Sequence, residues 1–464
     1  MSAPRQTRRK PVKPTRTPRR SKPSGYEARA TAVRCLVSVL DRGRPLDDAF
    51  EAALAKGEHL APRDRAFARL LVMTVLRRKG ELEMVASSFL EKPLPPDSGS
   101  LWPILLTASA QLLVLETPPH AAISLAVDLC RADPRARRFD RLANAVLRRV
   151  ATAGKDILSE LDPVATNIPS WLLERWQAAY GPELAREIAA ASLTEAALDL
   201  SVKTDADAWA KRLGGMRLAT GTVRLDRTQA GRIEDLLGYA DGIWWVQDAA
   251  AALPARLLGD VAGQRIADLC AAPGGKTAEL LAAGAMVTAV DLSPVRLDRL
   301  QQNLTRLKLT ADVITADVLT WDPGRTFDAV LLDAPCSATG TIRRHPDILH
   351  LRRKDDTSPR VSLQRRLLER AAGLVRPGGL LVYCTCSLEP EEGGDQVAQF
   401  LDAHPDFIRI PITPGEAGIA AEWITPDGDL RTLPSHLPHE EAALAGMDGF
   451  YAARLQRRDA LSPA

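Results

Sequence analysis

Two hydrophobic patterns divide the chain. Between residues 26 and 154, apolar side chains recur every three or four positions, and clusters of Pro and Gly separate the repeats. This spacing is typical of amphipathic helices packed on a shared core, so it predicts an all-α bundle. The predicted helical runs are residues 30–40, 66–75, 101–115, 121–130 and 142–150.

The middle of the chain has a mixed pattern. Residues 155–169 contain Asp, Asn and Pro residues that favour turns, so we predict a linker there. From 170 to 245, a stripe of Trp, Leu and Tyr at helical spacing precedes β-like runs at 198–202 and 222–225, and a helical run at 205–213 separates these two. The pattern predicts a small α+β subdomain.

Strand-like and helical runs alternate between residues 246 and 458, which is typical of a doubly wound, Rossmann-like α/β sheet. The strand-like runs are 266–270, 286–291, 311–317, 327–333, 379–385 and 449–455, and the helical runs are 277–283, 294–307, 361–375 and 391–404. Ligands of such sheets bind beyond the carboxyl ends of the strands. The reactive or polar side chains expected there are Cys270, Asp291, Asp317, Asp333 and Cys386.

Composition fits a multidomain globular protein. At 464 residues, 45% hydrophobic and 26% charged, the chain is long enough for two or three domains with their own cores. Its longest apolar run, residues 101–115, is broken by polar residues and predicts a buried helix rather than a membrane span. The absence of an apolar segment near the N-terminus argues against secretion, and six cysteines are typical of reduced thiols in a cytoplasmic protein.

The weakly basic charge comes from the N-terminus. Residues 1–24 hold nine Lys or Arg and no acid, so the remainder has 52 basic and 58 acidic side chains, a balance of −6. We predict that residues 1–25 are a disordered tail, because they are rich in Pro and lack apolar periodicity. The tail serves either solubility or contact with phosphates, whereas its five prolines argue against a transit peptide.

A glycine turn at residues 268–277, DLCAAPGGKT, joins a predicted strand to a predicted helix. Gly274 and Gly275 let the backbone approach a ligand closely. A phosphate-binding P-loop needs glycine where Cys270 stands, and the G-x-G-x-x-G of dinucleotide sites is absent. Asp291 ends the next strand, where an acid accepts the hydroxyls of a ribose. A nucleoside without a polyphosphate fits this pattern, and S-adenosylmethionine is the obvious candidate.

Three motifs carry a resemblance to a known family. They are DLCAAPGGKT at 268–277, DAPCSATGTIRRHPDI at 333–348 and YCTCSLEPEE at 383–392. Together they resemble the RNA cytosine-C5 methyltransferase family. The whole chain is similar to its bacterial 16S rRNA branch, the Sun/RsmB type, because PPHAAISLAVDLCR and RFDRLANAVLRR are similar to NusB-type RNA-binding domains. The resemblance implies a NusB-like domain at 26–154 and a methyltransferase domain at 246–458.

The resemblance also implies roles for the cysteines. Carbon 5 of cytosine is a weak nucleophile, so a catalyst first adds a nucleophile at carbon 6, and a thiolate suits this addition and its later departure. By resemblance, Cys386 is the nucleophile and Cys336 assists the final elimination. Asp333 contacts either N3 of the base or the cofactor, and Lys276 orients Asp333 or the methionine end of the cofactor. The implied cofactor-binding residues are Cys270, Ala271, Ala272, Pro273, Gly274, Gly275, Lys276, Asp291, Asp317 and Asp333.

Some positions remain open from the sequence. Cys384 lies two residues before Cys386, on the same face of an extended strand, so residue order alone leaves the nucleophile ambiguous. We interpret Cys384 as a buried strand cysteine, and the lack of a C-x-x-C pair argues against zinc. Trp244 and Trp245 are suited either to core packing or to stacking on bases. A basic rim for phosphate contact is predicted from Arg343, Arg344, His345, Arg352, Arg353 and Lys354.

Three functions compete. The first is S-adenosylmethionine-dependent methylation of a cytosine in 16S rRNA, free or in an assembling small subunit, by a monomeric enzyme. The second is a catalytically idle assembly factor of NusB type, which the presence of both Cys336 and Cys386 disfavours. The third is a tRNA cytosine methyltransferase, which the N-terminal helical domain disfavours.

Overall fold

The computed structural model describes residues 23–57, 59–227 and 231–459. The predicted tail, residues 1–25, falls almost entirely outside the described residues. None of the helices formed by the described residues combines the length with the apolar character that a membrane span requires.

Helices packed on a common apolar core form the first domain and confirm the predicted all-α bundle. They are α1 Tyr26–Leu40, α2 Leu46–Ala55, α3 Pro62–Arg77, α4 Lys79–Ser88, α5 Leu101–Leu113, α6 Pro119–Ala132 and α7 Asp140–Glu160. Helix α5 is buried on nearly its whole circumference and packs against α3, α4, α6 and α7. The predicted helical runs do not include α2 and α4, which are ten residues long each.

The segment predicted as a linker, residues 155–169, is mostly helical. Helix α7 continues to Glu160, and α8, Pro163–Asn167, follows at once. The Asp-Pro pair that favours a turn starts a helix here, because Asp162 Oδ1 accepts a hydrogen bond from Val164 N at 3.0 Å. Helices α9 Ser170–Tyr180 and α10 Pro182–Ser192 then lead into the next subdomain.

An antiparallel sheet with one flanking helix, α11 Ala206–Leu213, forms the predicted α+β subdomain. Its strands are β1 Leu198–Val202, β2 Met216–Arg217, β3 Val223–Leu225 and β4 Trp244–Val246, in the order β2-β3-β1-β4. Both Trp244 and Trp245 are buried, and their indole N–H groups donate to Leu237 O and Gln247 Oε1. The structure therefore favours core packing over base stacking for both tryptophans.

A mixed sheet with parallel central strands forms the α/β domain. Its strands are β5 Arg265–Leu269, β6 Met286–Asp291, β7 Asp312–Thr315, β8 Phe327–Asp333, β9 Val375–Thr385, β10 Phe407–Arg409, β11 Leu430–Thr432 and β12 Phe450–Arg457. Its helices are α12 Ala249–Arg256, α13 Gly275–Ala282, α14 Pro294–Leu307, α15 Ile348–Leu351, α16 Thr357–Leu374 and α17 Gly394–Ala403. The strand order is β10-β12-β9-β8-β5-β6-β7, with β11 paired to β12.

This order confirms the predicted doubly wound sheet. Strands β6 and β7 follow β5 on one side and β9 follows β8 on the other, so the direction of winding changes between β5 and β8. A crevice for ligands opens at such a switch point. Two predicted runs are shorter in the structure: β7 ends at Thr315, and α17 begins only at Gly394 because Pro390–Glu392 form a 3₁₀ turn.

The helical domain packs directly on the segment that follows β8. Asp347 Oδ2 accepts a hydrogen bond from Leu46 N at 3.0 Å and so caps the start of α2. Arg77 Nη2 donates to Arg343 O at 3.0 Å, and His350 Nε2 lies 2.7 Å from Leu76 O. These bonds place the helical domain against the segment that carries the RRHPDI motif.

Candidate active site

The glycine turn after β5 is shaped for close approach. Gly274 has a φ of 98°, and a Cβ there would lie 2.7 Å from Leu300 Cγ. Thr277 Oγ1 donates to Asp268 Oδ2 at 2.6 Å, which fixes the start of α13 to the end of β5. Burial raises the pKa of Asp268 to about 7. The turn therefore exposes backbone rather than side chains toward the expected ligand crevice. The carboxyl of Asp268 points into the protein.

The remaining residues of the turn contribute mainly backbone. Ala271 and Ala272 are buried, and Pro273 is exposed. Cys270 has a φ of 60°, and burial raises the pKa of its thiol to about 12. A protonated, half-buried thiol of this kind is a poor nucleophile, which agrees with a backbone role for Cys270.

Asp291, at the end of β6, lies directly beside the turn. Its Oδ2 accepts from Ala272 N at 3.1 Å and its Oδ1 accepts from Ser293 N at 2.9 Å, so the backbone fixes the carboxylate. Leu292 and Val295, which follow it, are 69% and 64% exposed and offer an apolar surface. Asp317 lies two residues past β7, is exposed, and accepts from Leu319 N at 3.0 Å, so its observed contact is a local turn.

A half-buried ion pair connects the turn to β8. Lys276 Nζ lies 2.7 Å from Asp333 Oδ2 and 4.7 Å from the centre of the Phe450 ring. Burial lowers the pKa of Lys276, but the carboxylate of Asp333, through its charge and its hydrogen bond, outweighs burial and raises the pKa above its ordinary value. The ammonium group therefore stays charged between the acid of β8 and the thiols of β9.

The structure separates the roles of the two neighbouring cysteines of β9. Cys384 is fully buried, and its Sγ donates to Asp333 Oδ1 at 3.6 Å. Burial raises the pKa of this thiol well above its ordinary value, so Cys384 is the buried strand cysteine that the sequence predicts. Cys386 lies just past the strand end, is half-buried, and has its Sγ 3.5 Å from Cys336 Sγ.

Tight backbone contacts hold the loop of Cys336 against that of Cys386. Gly340 N donates to Cys386 O at 3.0 Å, and Gly449 N donates to Gly340 O at 2.8 Å. A Cβ at residue 340 would lie 1.9 Å from Gly449 O, so only glycine fits there. These backbone contacts therefore hold the two sulfur-bearing loops next to each other.

The predicted basic rim is mostly inside the protein. Arg343 is buried and donates to Ala445 O at 3.3 Å, and Arg344 pairs with Asp448 at 2.9 Å. Arg352 Nε donates to Ser337 O at 2.8 Å and so supports the loop of Cys336. Arg353 and Lys354 are exposed, so the rim available to phosphates is smaller than the charge pattern predicts.

Known protein families match both the α/β domain and the helical domain. Residues 255–456 match the family described as 16S rRNA methyltransferase RsmB/F, and residues 26–152 match the NusB family. The ribosomal RNA small subunit methyltransferase B of Vibrio cholerae is 36% identical over 447 residues, which cover 93% of this chain and 97% of that protein. The chain therefore belongs to the family of ribosomal RNA small subunit methyltransferase B. The protein of the same name from Xanthomonas campestris is 38% identical over 407 residues, covering 84% of this chain and 91% of that protein.

Solved structures share the fold of this family member. The crystal structure of PH0851 superposes with a TM-score of 0.69 at 22% identity, covering 92% of this chain and 99% of that chain. The structure of NSun6 from Pyrococcus horikoshii with SFG gives a TM-score of 0.51 at 20% identity, covering 62% of this chain and 98% of that one. At these identities the likeness shows the fold alone.

Contacts join the predicted residues: Lys276 of the turn pairs with Asp333, Asp333 contacts Cys384, and Cys386 meets Cys336. Asp291 bonds to the turn, whereas Asp317 is exposed and accepts from Leu319 N. Sequence reasoning missed the buried acid Glu392 and its neighbour Gln364, which support the Cys336 loop. Glu392 is the last residue of the third quoted motif, so its position was visible in the sequence. Its hydrogen-bonding partners, Gln364 and Ser337, could not be identified from the sequence, because they lie 28 and 55 residues away along the chain.

Proposed function

We propose that this protein transfers a methyl group from S-adenosylmethionine to carbon 5 of a cytosine in 16S rRNA. The observation that carries the proposal is the pair of sulfur atoms, Cys336 Sγ and Cys386 Sγ, 3.5 Å apart beside the Lys276–Asp333 ion pair. The names of the relatives favour small-subunit rRNA over tRNA, and the paired thiols favour catalysis over an idle assembly factor.

The turn fits the methyl donor. Gly274 and Gly275 leave no side chain between backbone and ligand, and the start of α13 favours an electron-rich group such as a carboxylate. Asp291 keeps further lone pairs for ribose hydroxyls while two backbone amides fix its orientation. When bound there, S-adenosylmethionine supplies an electrophilic methyl group.

The chain's own residues prepare the base. The thiolate of Cys386 adds to carbon 6 of cytosine, forming a sulfur–carbon bond and moving electron density toward carbon 5. Asp333 is the residue for N3: its carboxylate, held by Lys276 Nζ at 2.7 Å, accepts a hydrogen bond from N3–H as N3 takes up a proton from water during the addition. After carbon 5 is methylated, its proton passes to solvent water and the C6–S bond breaks, with its electron pair returning to the Cys386 sulfur. This restores the aromatic ring, with Cys336 Sγ 3.5 Å from the departing sulfur.

The target base reaches the thiols only outside a helical stack. Cys386 is half-buried beyond a strand end, so the cytosine must be unpaired or flipped out of its duplex. Arg353 and Lys354 are exposed near the Cys336 loop and are the residues we assign to backbone phosphates. RNA contact by the helical domain, a monomeric state and a cytoplasmic location stay predictions.

The test is methylation in a defined system. Purified protein, S-adenosylmethionine and a 16S rRNA transcript are expected to yield 5-methylcytosine, read by bisulfite sequencing and by nucleoside mass spectrometry. A tRNA transcript and the Cys386→Ala variant are the controls. Methyl groups on another atom, or on tRNA in preference to rRNA, would overturn the proposal.

A further inference from the structure

Glu392 is a fully buried carboxylate between the two thiol-bearing segments. Its Oε1 and Oε2 accept from Ser337 N at 3.0 and 3.1 Å, and its Oε2 accepts from Ser337 Oγ at 2.5 Å. Gln364 Nε2 donates to Oε1 at 3.1 Å. Each of these hydrogen-bonding partners is a donor, so the site fits the ionised carboxylate.

The same residue also holds the segment of Cys386. The main-chain carbonyl of Glu392 accepts from Tyr383 Oη at 2.9 Å and from Thr385 Oγ1 at 3.1 Å. Thr385 immediately precedes Cys386, and Ser337 immediately follows Cys336. Glu392 therefore touches a neighbour of each sulfur-bearing residue, with the side chain on one and the backbone on the other.

The charges around the two sulfurs are unequal. The Lys276 ammonium lies near Cys386. Cys336 has near it the Glu392 carboxylate, which opposes a thiolate, and the Arg352 guanidinium, which favours one. The hydrogen bond with Cys386 raises the pKa of Cys336 most, and burial and Glu392 raise it further. Two thiols at this distance do not both ionise easily, so the charge of Glu392 bears on the pair.

We propose that Glu392 is a positioning residue that fixes the Cys336 loop against the Cys386 segment and whose negative charge disfavours a thiolate at Cys336. The role of Cys386 as nucleophile rests on the proposed function, whereas the charge effect of Glu392 on Cys336 does not. Glu392 touches neither base nor cofactor in this arrangement, and it acts through Ser337.

The test is the pH dependence of Cys336 alkylation. In a Cys386→Ala background, the rate of iodoacetamide labelling of the Cys336 peptide is followed by mass spectrometry from pH 7 to 11.5. Adding Glu392→Gln removes the negative charge, so the midpoint should fall by about one pH unit or more. An unchanged or higher midpoint would refute the charge role.

Glu391→Gln is the matched control, because Glu391 is 43% exposed and pairs with Arg175 on the outside. We expect this variant to keep the labelling midpoint and to retain activity within about twofold. Ser337→Ala keeps the charge but loses the shortest bond to Glu392, so we expect no fall in the midpoint and about a tenfold lower kcat with unchanged KM. A kcat within twofold of wild type for Ser337→Ala would refute the positioning role.

These outcomes are separate from the proposed function. Labelling of Cys336 needs neither RNA nor methyl transfer, so it tests the charge effect even if the substrate is another nucleic acid. Should Glu392→Gln fail to fold, Ser337→Ala still decides the positioning role through kcat, and Glu392→Asp, which keeps the charge, should retain the high midpoint. A lowered midpoint in Glu392→Asp would count against the proposal.

Discussion

The two ends of the candidate site are built over very different distances along the chain. At the glycine turn, Thr277 bonds to Asp268 and Ala272 bonds to Asp291, separations of 9 and 19 residues. At the thiol end, Cys336 meets Cys386 and Ser337 meets Glu392, separations of 50 and 55 residues. The first end is a local motif, whereas the second exists only when β8 and β9 are paired.

This difference indicates how each end responds to change. Substitutions at the turn are expected to alter cofactor affinity while leaving the thiols in place. Substitutions at the thiol end are expected to alter the chemical step while leaving cofactor affinity unchanged. Lys276 belongs to both ends, since it lies in the turn and binds Asp333 57 residues away.

The largest effect is expected for Cys386→Ala. Methylation should fall by at least about 10³-fold, because the thiol that adds at carbon 6 is removed. Affinity for S-adenosylmethionine, measured by calorimetry, should stay within about twofold of wild type. Cys384→Ala is the matched control and should lose far less activity. Equal losses in both variants would contradict the separation of the β9 cysteines.

Lys276→Met should affect both ends at once. We expect kcat to fall about 100-fold, because Asp333 loses its ion-pair partner, and cofactor affinity to weaken several-fold. Steady-state kinetics and calorimetry measure the two effects. Lys211→Met, at an exposed position of α11, should change neither quantity. A loss confined to cofactor affinity would show that Lys276 does not act on Asp333.

Asp291→Asn should affect the cofactor end alone. The amide cannot accept two backbone N–H bonds and two ribose hydroxyls, so we expect cofactor affinity to fall about tenfold. The kcat at saturating cofactor should stay within about threefold. Asp312→Asn, exposed at the start of β7, serves as the control. A large loss of kcat without loss of affinity would break the proposed division between the two ends.

The smallest effect concerns stability at the turn. The pKa of Asp268 is raised by burial to about 7, so its contribution to stability is complete at low pH and is lost as pH rises through 7. Asp268→Asn lacks this ionisation. From pH 5 to pH 8, the Tm of wild type should therefore fall by about 2–4 °C relative to the variant, by scanning calorimetry. Parallel Tm profiles would show that Asp268 does not titrate in this range.

Local patterns in the sequence were enough to predict the glycine turn and the strand beside it. The motif DLCAAPGGKT and the strand ending at Asp291 lie close together in the chain, and the structure brings them together. Helices with long amphipathic runs were predicted for the same reason. Short α2 and α4 and the helical content of 155–169 were missed, because packing and an Asp162 cap decide them rather than periodicity.

Side-chain surroundings at the thiol end could not be predicted. The sequence left Cys384 and Cys386 on one face, and only the sheet shows that Cys384 turns to Asp333 while Cys386 meets Cys336. Arg343 and Arg344 looked like surface charges because no local feature marks Asp448, their neighbour across the fold. Long-range pairing decides burial, and single-sequence patterns do not contain it.

The most direct test of the two-thiol account is covalent trapping with RNA. Cys336→Ala and Cys386→Ala proteins are each incubated with 16S rRNA and S-adenosylmethionine and run on denaturing gels. The account predicts a protein–RNA adduct that survives denaturation for Cys336→Ala and none for Cys386→Ala. An adduct formed by Cys386→Ala but not by Cys336→Ala would contradict it.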